Sequence, residues 1–234
     1  MPSCHFCDLG LIDYQRAWDL QNKLAVEIAR GERPPTLLLL EHPHTYTFGR
    51  RGKIENLLWD AEKLAENGAA TYWVDRGGDV TYHGPGQLVG YPLMRLEGSD
   101  HVGYVRKLEK MLIAALARLG LASGQLNGKT GVWVQAEIAS RCSRCKPENR
   151  QKPAKIAAIG VKVDSNGVTR HGFALNVNPR MDYFEGIIPC GIADHPVISL
   201  AEIFPTPPEM DAVKREVRRA FGEVFGVEIH PTNI

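Results

Sequence analysis

The chain has 234 residues, of which 44% are hydrophobic and 24% charged, a composition typical of a globular domain and not of a disordered or fibrous protein. Its 28 Lys and Arg nearly balance its 27 Asp and Glu, which argues against a nucleic-acid-binding protein, because such proteins usually carry a basic excess. The N-terminus lacks the segments of a signal peptide, and the most apolar run, residues 37–40, is too short to cross a bilayer. We therefore expect a cytoplasmic protein that binds neither nucleic acid nor membranes and keeps its five cysteines mostly reduced.

Helices and strands can be predicted along most of the chain. Asp13 is placed to cap a helix over residues 14–30. The short apolar run at residues 36–41, closed by His42-Pro43, predicts a buried strand. The same patterns predict helices over residues 61–66, 102–119 and about 208–225, and strands over residues 70–74, 88–94, 132–135, 155–163 and 173–177.

The order of these elements indicates the fold class. Strands and helices do not alternate strictly, as they would in a doubly wound parallel sheet. The order therefore predicts an α+β fold with a mixed, largely antiparallel sheet flanked by helices. Since no repeat or linker interrupts the chain, we expect one domain over residues 1–234, with a polar hairpin insertion at about residues 137–153.

A glycine-rich segment at residues 76–87 connects two of the predicted strands. Glycine permits positive φ angles and lets a bound group approach the backbone closely. The segment lacks the Gly-Lys-Ser/Thr ending of a phosphate-binding loop and opens no helix. We interpret it as a loop that wraps an apolar chain or a thioester carbonyl; a plain surface turn is the alternative.

Cys190 is the candidate nucleophile. Pro189 stiffens its approach, and Gly191 leaves room beside the sulfur. A thiolate is both a good nucleophile and a tolerable leaving group, which suits the movement of an acyl group between thioesters. A buried, inert cysteine is the alternative.

An active thiol needs a cation or base beside it, and His171 and Lys155 are the candidates. Lys155 opens an otherwise apolar strand, where burial would lower its pKa from ~10.4 towards neutrality. The alternative is a lysine at a solvated strand end. Lys162 falls on the opposite strand face by parity and is not a candidate.

Three ordered motifs together resemble the lipoyl(octanoyl) transferase family. They are RGGDVTYHGPGQLVGYP at residues 76–92, KIAAIG at residues 155–160, and HGFALNV followed by PCGI within residues 171–192. Weaker similarity covers TLLLLEHPHTYTFGRR at residues 36–51. The resemblance implies a fold like that of the catalytic domains of biotin protein ligases and lipoate ligases.

The resemblance also implies a reaction. An octanoyl group would pass from acyl carrier protein to the target lysine of a lipoyl domain, with no cofactor for catalysis. Cys190 would hold the acyl thioester, and Lys155 would activate the thiol. The acyl site would be lined by Arg76, Gly77, Gly78, Asp79, Val80, Thr81, Tyr82, His83, Ala158, Ile159, Gly160, Gly172, Phe173 and Ala174.

The sequence departs from the family pattern at two places. Arg180 stands where the family usually has an acidic residue, and the segment at residues 137–153 is longer than usual. A basic cluster of Arg50, Arg51 and Lys53 is a candidate contact for an acidic carrier protein, with a solvated turn as the alternative.

Other functions are compatible with parts of this pattern. An ATP-dependent ligase for lipoate or biotin shares the implied fold. An amidase of the Cys–His type would pair Cys190 with His171. A binding module for lipoyl domains would keep the glycine-rich segment but would not use a cysteine–lysine pair.

Four cysteines lie outside the motifs, as the Cys-x-x-Cys pairs Cys4/Cys7 and Cys142/Cys145. Brought together by the fold, the two pairs would make a closed tetrahedral zinc site of the structural type. The N-terminus and the hairpin tip have no other evident anchor, which favours such a site. Reduced thiols, a disulfide, or His5 as a ligand are the alternatives.

Overall fold

A computed structural model describes residues 1–96, 98, 100–142, 144–145, 147–188 and 195–234. Its strands are β1 (Ser3–Leu11), β2 (Thr36–Glu41), β3 (Thr45–Phe48), β4 (Ala70–Trp73), β5 (Val80–His83), β6 (Gln87–Leu93), β7 (Gly124–Leu126), β8 (Lys129–Val134), β9 (Ala154–Val163), β10 (Thr169–Asn176) and β11 (Glu228–Pro231). Its α-helices are α1 (Tyr14–Ala29), α2 (Ala61–Glu66), α3 (His101–Arg118), α4 (Ala136–Ala139), α5 (Leu200–Ile203) and α6 (Met210–Phe225). Single 3-10 turns span Ile54–Asn56, Pro147–Asn149 and Met181–Gly186.

Within the described residues, eight strands form the main sheet, in the order β11-β1-β2-β6-β10-β9-β8-β7. The strand β1 runs parallel to both of its neighbours, and the other pairs are antiparallel. The prediction of an α+β fold with a mixed, largely antiparallel sheet is therefore confirmed.

Helices cover both faces of this sheet, which explains why the sequence of β2 is continuously apolar. Leu37 and Leu39 pack with α3 and α6 on one face, whereas Leu38 and Leu40 pack with α1 on the other. Successive side chains of a strand point to opposite faces, so a strand buried on both sides needs apolar residues throughout. Asp13 caps α1 as predicted, because its carboxylate accepts a hydrogen bond from the Arg16 amide at 3.1 Å.

A smaller sheet, in the order β4-β3-β5, corrects the prediction of a continuous loop at residues 76–87. Its strand β5 lies inside that segment and pairs antiparallel with β3. Aromatic side chains, among them Tyr46, Trp59 and Tyr82, pack beneath this sheet. The partner strand β3 is distant in sequence, so the local glycine content gave no sign of the pairing.

The N-terminus is also anchored, contrary to the expectation that it lacks contacts with the core. Cys4 and Phe6 lie in β1, which pairs with β2 on one side and with β11 on the other. Both pairings join distant parts of the chain, which a local reading of the sequence cannot detect. Among the residues that the structure describes, no helix combines the length and the apolar character needed to span a membrane.

Candidate active site

The glycine-rich segment is held in place by a buried arginine. The guanidinium of Arg76 donates from Nη2 to the carbonyl oxygen of Thr47 at 2.6 Å and to its hydroxyl at 2.9 Å. Its Nη1 donates to the carbonyl oxygen of Gly77 at 3.0 Å. Charged hydrogen bonds of this kind are among the stronger ones in proteins. Arg76 thus connects the start of the segment to β3 of the small sheet.

A short basic turn, residues 50–53, is fixed to the same segment through the backbone. The amide of Arg50 donates to the carbonyl oxygen of Arg76 at 2.9 Å, and that of Arg51 to Gly78 at 3.0 Å. The amide of Lys53 donates to the Asp79 carboxylate at 3.0 Å. All three basic side chains are exposed. The turn therefore presents positive charge from a backbone that is rigid relative to the glycine-rich segment.

Small side chains leave a trough across the α1 face of the main sheet. Ala158 on β9 pairs with Ala174 on β10, and Ala174 pairs with Val89 on β6. A larger residue at either alanine would fill this space. The resulting apolar pocket is lined by Tyr14, Arg76, Gly77, Gly78, Thr81, His83, Val89, Tyr91, Ala158, Ile159, Gly160, His171, Gly172, Phe173 and Ala174.

A wider groove of about 800 Å³ adjoins the pocket. The two cavities share a neck made of Gly77, Gly78 and residues 158–160. A Cβ atom at Gly160 would lie only 3.0 Å from the carbonyl oxygen of Gly77, so the neck is narrow. The groove beyond it is lined by Arg51, Lys53, Asn56, Asp79, Val105, Gly128, Lys129, Thr130, Lys155 and Val161 as well. Four of its five charged lining residues are basic, so the groove carries net positive charge.

Lys155 lies at the start of β9, on the wall of this groove. Its ammonium is 4.8 Å from the ring centre of Trp133, a cation–π contact. Its backbone is clamped to the opposite segment, because its amide donates to Pro196 and its carbonyl accepts from Ile198, both at 2.9 Å. Lys155 is thus a half-buried cation in a defined position.

Cys190, the predicted nucleophile, lies outside the described residues. The described chain on its N-terminal side ends at Ile188, whose amide donates to the carbonyl oxygen of Asn56 at 2.9 Å. On its C-terminal side the chain resumes at His195, whose ring lies 5.4 Å from that of Trp133. Asn56 lines the groove and Trp133 contacts Lys155. The described residues Ile188 and His195 are therefore held near the groove.

His171, the other candidate base, lies in the pocket and not in the groove. Its Nε2 donates to the Asp75 carboxylate at 2.8 Å, and burial lowers the pKa of the imidazole. That hydrogen bond, together with the Arg170 cation, lowers the pKa of Asp75 to about 2. Residues 171 and 173 of a regular strand would point to the same face of the sheet. The positive φ of His171, 56°, interrupts this pattern, and its ring lies against Trp18 on α1. His171 is therefore a neutral pocket side chain held by Asp75.

His83 is also held neutral by its surroundings. The side-chain amide of Gln87 donates to the carbonyl oxygen of Tyr82 and to Asn176, so its oxygen accepts from Nδ1 of His83 at 2.8 Å. Burial lowers the pKa of His83 well below its usual value. This histidine is held at the end of β5 by Gln87.

Strand alternation divides the predicted binding residues of the glycine-rich segment. Thr81 and His83 line the pocket, whereas Val80 and Tyr82 point to the aromatic cluster beneath the small sheet. Asp79 faces the groove, where its carboxylate accepts from the Lys53 amide and from the Asn56 side chain. Of the predicted binding residues, those that line the pocket are Arg76, Gly77, Gly78, Thr81, His83, Ala158, Ile159, Gly160, Gly172, Phe173 and Ala174.

Arg180, the departure from the family pattern, pairs with an acidic neighbour. Its guanidinium donates to the Asp182 carboxylate at 2.5 Å and lies 5.1 Å from the ring centre of Tyr183. Its side chain is exposed, so this ion pair contributes little to stability.

A buried chain of hydrogen bonds closes one end of the pocket. Nδ1 of His42 lies 2.8 Å from the carbonyl oxygen of Ile12, which can only accept, so this nitrogen carries the proton. Nε2 is then the acceptor for the Tyr91 hydroxyl, also at 2.8 Å. The ring of Tyr14 packs against the same histidine, 4.9 Å from the His42 ring. Burial lowers the pKa of His42 to about 4.

His42 should make the stability of the protein depend on pH. Its folded pKa of about 4 lies below the usual 6.5, so between these values the unfolded chain binds a proton that the folded chain does not. The contribution of neutral His42 to the free energy of unfolding is therefore complete above about pH 6.5. It decreases as the pH falls and is about 2 kcal/mol smaller at about pH 5. Glutamine keeps a hydrogen-bond donor and an acceptor but cannot titrate. We therefore expect the free energy of unfolding of His42→Gln to fall by about 2 kcal/mol less than that of the wild type between neutral pH and about pH 5. Urea unfolding at both pH values measures the difference, and an equal loss in both proteins would contradict the assignment.

Comparison with known proteins identifies the family. The model of the lipoyl protein ligase A/B catalytic domain matches residues 13–222 of the chain. The chain belongs to this family. An octanoyltransferase of Chloroflexus aurantiacus is 46% identical over 222 residues, which cover 94% of this chain and 93% of the relative. An octanoyltransferase of Cytophaga hutchinsonii is 41% identical over 240 residues, covering 96% of this chain and 93% of the relative.

Solved structures show the same fold for this member of the lipoyl protein ligase A/B family. A structure from a study of the bipartite lipoate protein ligase and its E2 lipoyl domain from Thermoplasma acidophilum superposes with a TM-score of 0.77. The match covers 100% of this chain and 88% of that structure at 16% identity. The predicted likeness to lipoate ligase catalytic domains and to the lipoyl(octanoyl) transferase family is confirmed.

Three residues that line the pocket of this family member were not predicted from the sequence: Tyr14, Val89 and Tyr91. Val89 and Tyr91 lie two apart on β6 and share the α1 face, so alternation in the predicted strand would have placed them together. Tyr14 reaches the pocket from the first turn of α1. Nothing in its local sequence distinguishes it from an ordinary core residue.

The structure does not assemble the predicted zinc site. Cys4 and Cys7 lie three residues apart on β1 and therefore point to opposite faces, Cys4 towards the core under α3 and Cys7 towards α1. Burial raises the pKa of Cys4 to about 12, which keeps it a thiol. Cys142 and Cys145 are joined by a disulfide, one of the stated alternatives. Among the described residues, which include all four cysteines, no His, Cys, Asp and Glu side chains form a metal-binding group.

Proposed function

We propose that this protein is an octanoyltransferase that moves an octanoyl group from acyl carrier protein, through a thioester on Cys190, to the target lysine of a lipoyl domain. The observation that supports this most is the pairing of two cavities. An apolar pocket and a groove with basic side chains meet at Gly77, Gly78 and residues 158–160, and Lys155 lies on the wall of that groove. A group with an apolar tail and a polar reacting end would be bound across the neck.

The proposed reaction has two steps, and Lys155 takes part in both. The Cys190 thiolate attacks the carrier thioester, a new thioester forms, and the carrier leaves as a thiolate that takes up a proton. The lysine amine of the lipoyl domain then attacks the acyl-Cys190 and releases the thiolate. Lys155, acting as a neutral amine, accepts the Cys190 proton and passes it to the departing carrier thiolate. In the second step it accepts the amine proton and returns it to the released Cys190 thiolate. A thioester is already activated towards amide formation, so the reaction consumes no ATP.

The basic turn supports an acidic protein as the donor. Arg50, Arg51 and Lys53 are exposed on a backbone that is hydrogen-bonded to the glycine-rich segment. Arg51 and Lys53 also line the groove, so the charged surface is continuous with the path to Lys155. A carrier bound there would direct its acyl arm into the groove, and the positive charge would increase its rate of association.

Intact-mass spectrometry tests the proposal directly. The protein is incubated with octanoyl-loaded acyl carrier protein without ATP and then with a lipoyl domain. We expect a single octanoyl adduct on this protein, sensitive to hydroxylamine, that disappears as the lipoyl domain gains the same mass. An adduct that forms only from free octanoate and ATP would indicate a ligase, and release of free octanoate in place of transfer would indicate a hydrolase.

A further inference from the structure

We propose that Tyr14 and Tyr91 close the far end of the acyl pocket and thereby set the length of the acyl chain that the enzyme accepts. This inference rests on the proposed function, because it concerns the substrate of the same site. It gives a role in specificity to two residues that are not among the predicted acyl-site residues.

The order of residues along the two cavities defines a reacting end and a far end. Lys155 lines only the groove, whereas Tyr14 and Tyr91 line only the pocket. The neck at residues 158–160 lies between them. An acyl chain that reacts beside Lys155 must therefore enter through the neck and extend towards the two tyrosines.

The distance available along this path matches a medium-length chain. From the neck on β9 the trough crosses β10 and ends on β6, where Val89 and Tyr91 rise from its floor. Neighbouring strands lie ~4.8 Å apart, so the floor is roughly 10 Å long. An extended octanoyl tail is of comparable length.

The end wall is rigid because both tyrosines are held from behind. The Tyr91 hydroxyl donates to Nε2 of His42, and His42 is itself hydrogen-bonded to the carbonyl oxygen of Ile12. The ring of Tyr14 lies 4.9 Å from that of His42 and 5.1 Å from that of Tyr72. Displacing Tyr91 would break its buried hydrogen bond with His42, which costs more than the burial of one added methylene returns, and displacing Tyr14 would break its ring contacts with His42 and Tyr72. The wall therefore stops a longer chain and does not adapt to it.

Two substitutions with opposite effects test the inference. Tyr91→Ala lengthens the pocket, and Ala174→Val narrows the trough between the neck and the end wall. Thioester formation is measured with hexanoyl, octanoyl, decanoyl and dodecanoyl carrier protein, and kcat/KM is compared between chains. We expect Tyr91→Ala to raise the decanoyl-to-octanoyl ratio roughly tenfold, since two more methylenes become buried. We expect Ala174→Val to raise the hexanoyl-to-octanoyl ratio.

Tyr104→Ala is the matched control, because Tyr104 is an equally buried tyrosine on the opposite face of the sheet. Its chain-length ratios should equal those of the wild type even if the variant is less stable. Unchanged ratios in a folded Tyr91→Ala protein would overturn the inference, and if that variant fails to fold, unchanged ratios in Ala174→Val would do so. If both variants transfer octanoyl groups with the wild-type chain-length preference, the inference fails but the proposed function holds. If no protein forms an adduct with any acyl carrier, the proposed function fails as well.

Discussion

Replacing Cys190 with alanine is expected to reduce octanoyl transfer to the uncatalysed background. Covalent catalysis divides one difficult step into two easier ones, and alanine offers no atom to carry the acyl group. The structure places the chain on both sides of Cys190 beside the basic groove, through the contacts of Ile188 with Asn56 and of His195 with Trp133. Intact mass should show no adduct, and the lipoyl domain should stay unmodified.

A second cysteine provides the control for this experiment. Cys7 is buried on β1, against α1 and far from the groove in sequence and fold. Cys7→Ala should form the octanoyl adduct as the wild type does, and thermal unfolding should show that both variants are folded. Full transfer by Cys190→Ala would contradict the thioester mechanism.

The parts of the fold that sequence reasoning predicted are those whose pattern is local. The strand at residues 36–41 could be delimited because burial on both faces demands a continuous apolar run, and Asp13 marked the start of α1. The strand β1 was missed because its pairing with β2 and β11 joins distant segments. The strand β5 was missed for the same reason, and because glycines on both sides of it resemble a loop.

The candidate site shows the same division. The family resemblance implied walls of the pocket at Arg76 and at residues 158–160, and these residues do line it. The resemblance could not separate Thr81 and His83, which face the pocket, from Val80 and Tyr82, which do not. That separation requires knowing that the segment is a strand. The end wall at Tyr14 and Tyr91 depends on α1 crossing the sheet, which is tertiary structure and leaves no local signal.

Replacing Lys155 with alanine is expected to slow acylation of Cys190 by ~10²–10⁴-fold, the usual contribution of a general base. The half-buried ammonium lies over Trp133, and the backbone of Lys155 is clamped to Pro196 and Ile198, so the position of Lys155 on the groove wall is fixed. A cation there also favours the thiolate. Single-turnover acylation measures the chemical step, and alkylation by iodoacetamide as a function of pH measures the thiolate fraction.

Two further lysine variants separate these roles. Lys162 lies on the same strand but is not among the residues that line the groove, so Lys162→Ala should acylate at close to the wild-type rate. Lys155→Arg keeps the positive charge but cannot give up its proton at neutral pH. We therefore expect it to restore much of the alkylation rate at neutral pH while transfer to the lipoyl domain stays slow, because the acceptor amine must still lose a proton. Equal losses in Lys155→Ala and Lys162→Ala, or full transfer by Lys155→Arg, would show that the proton does not pass through Lys155.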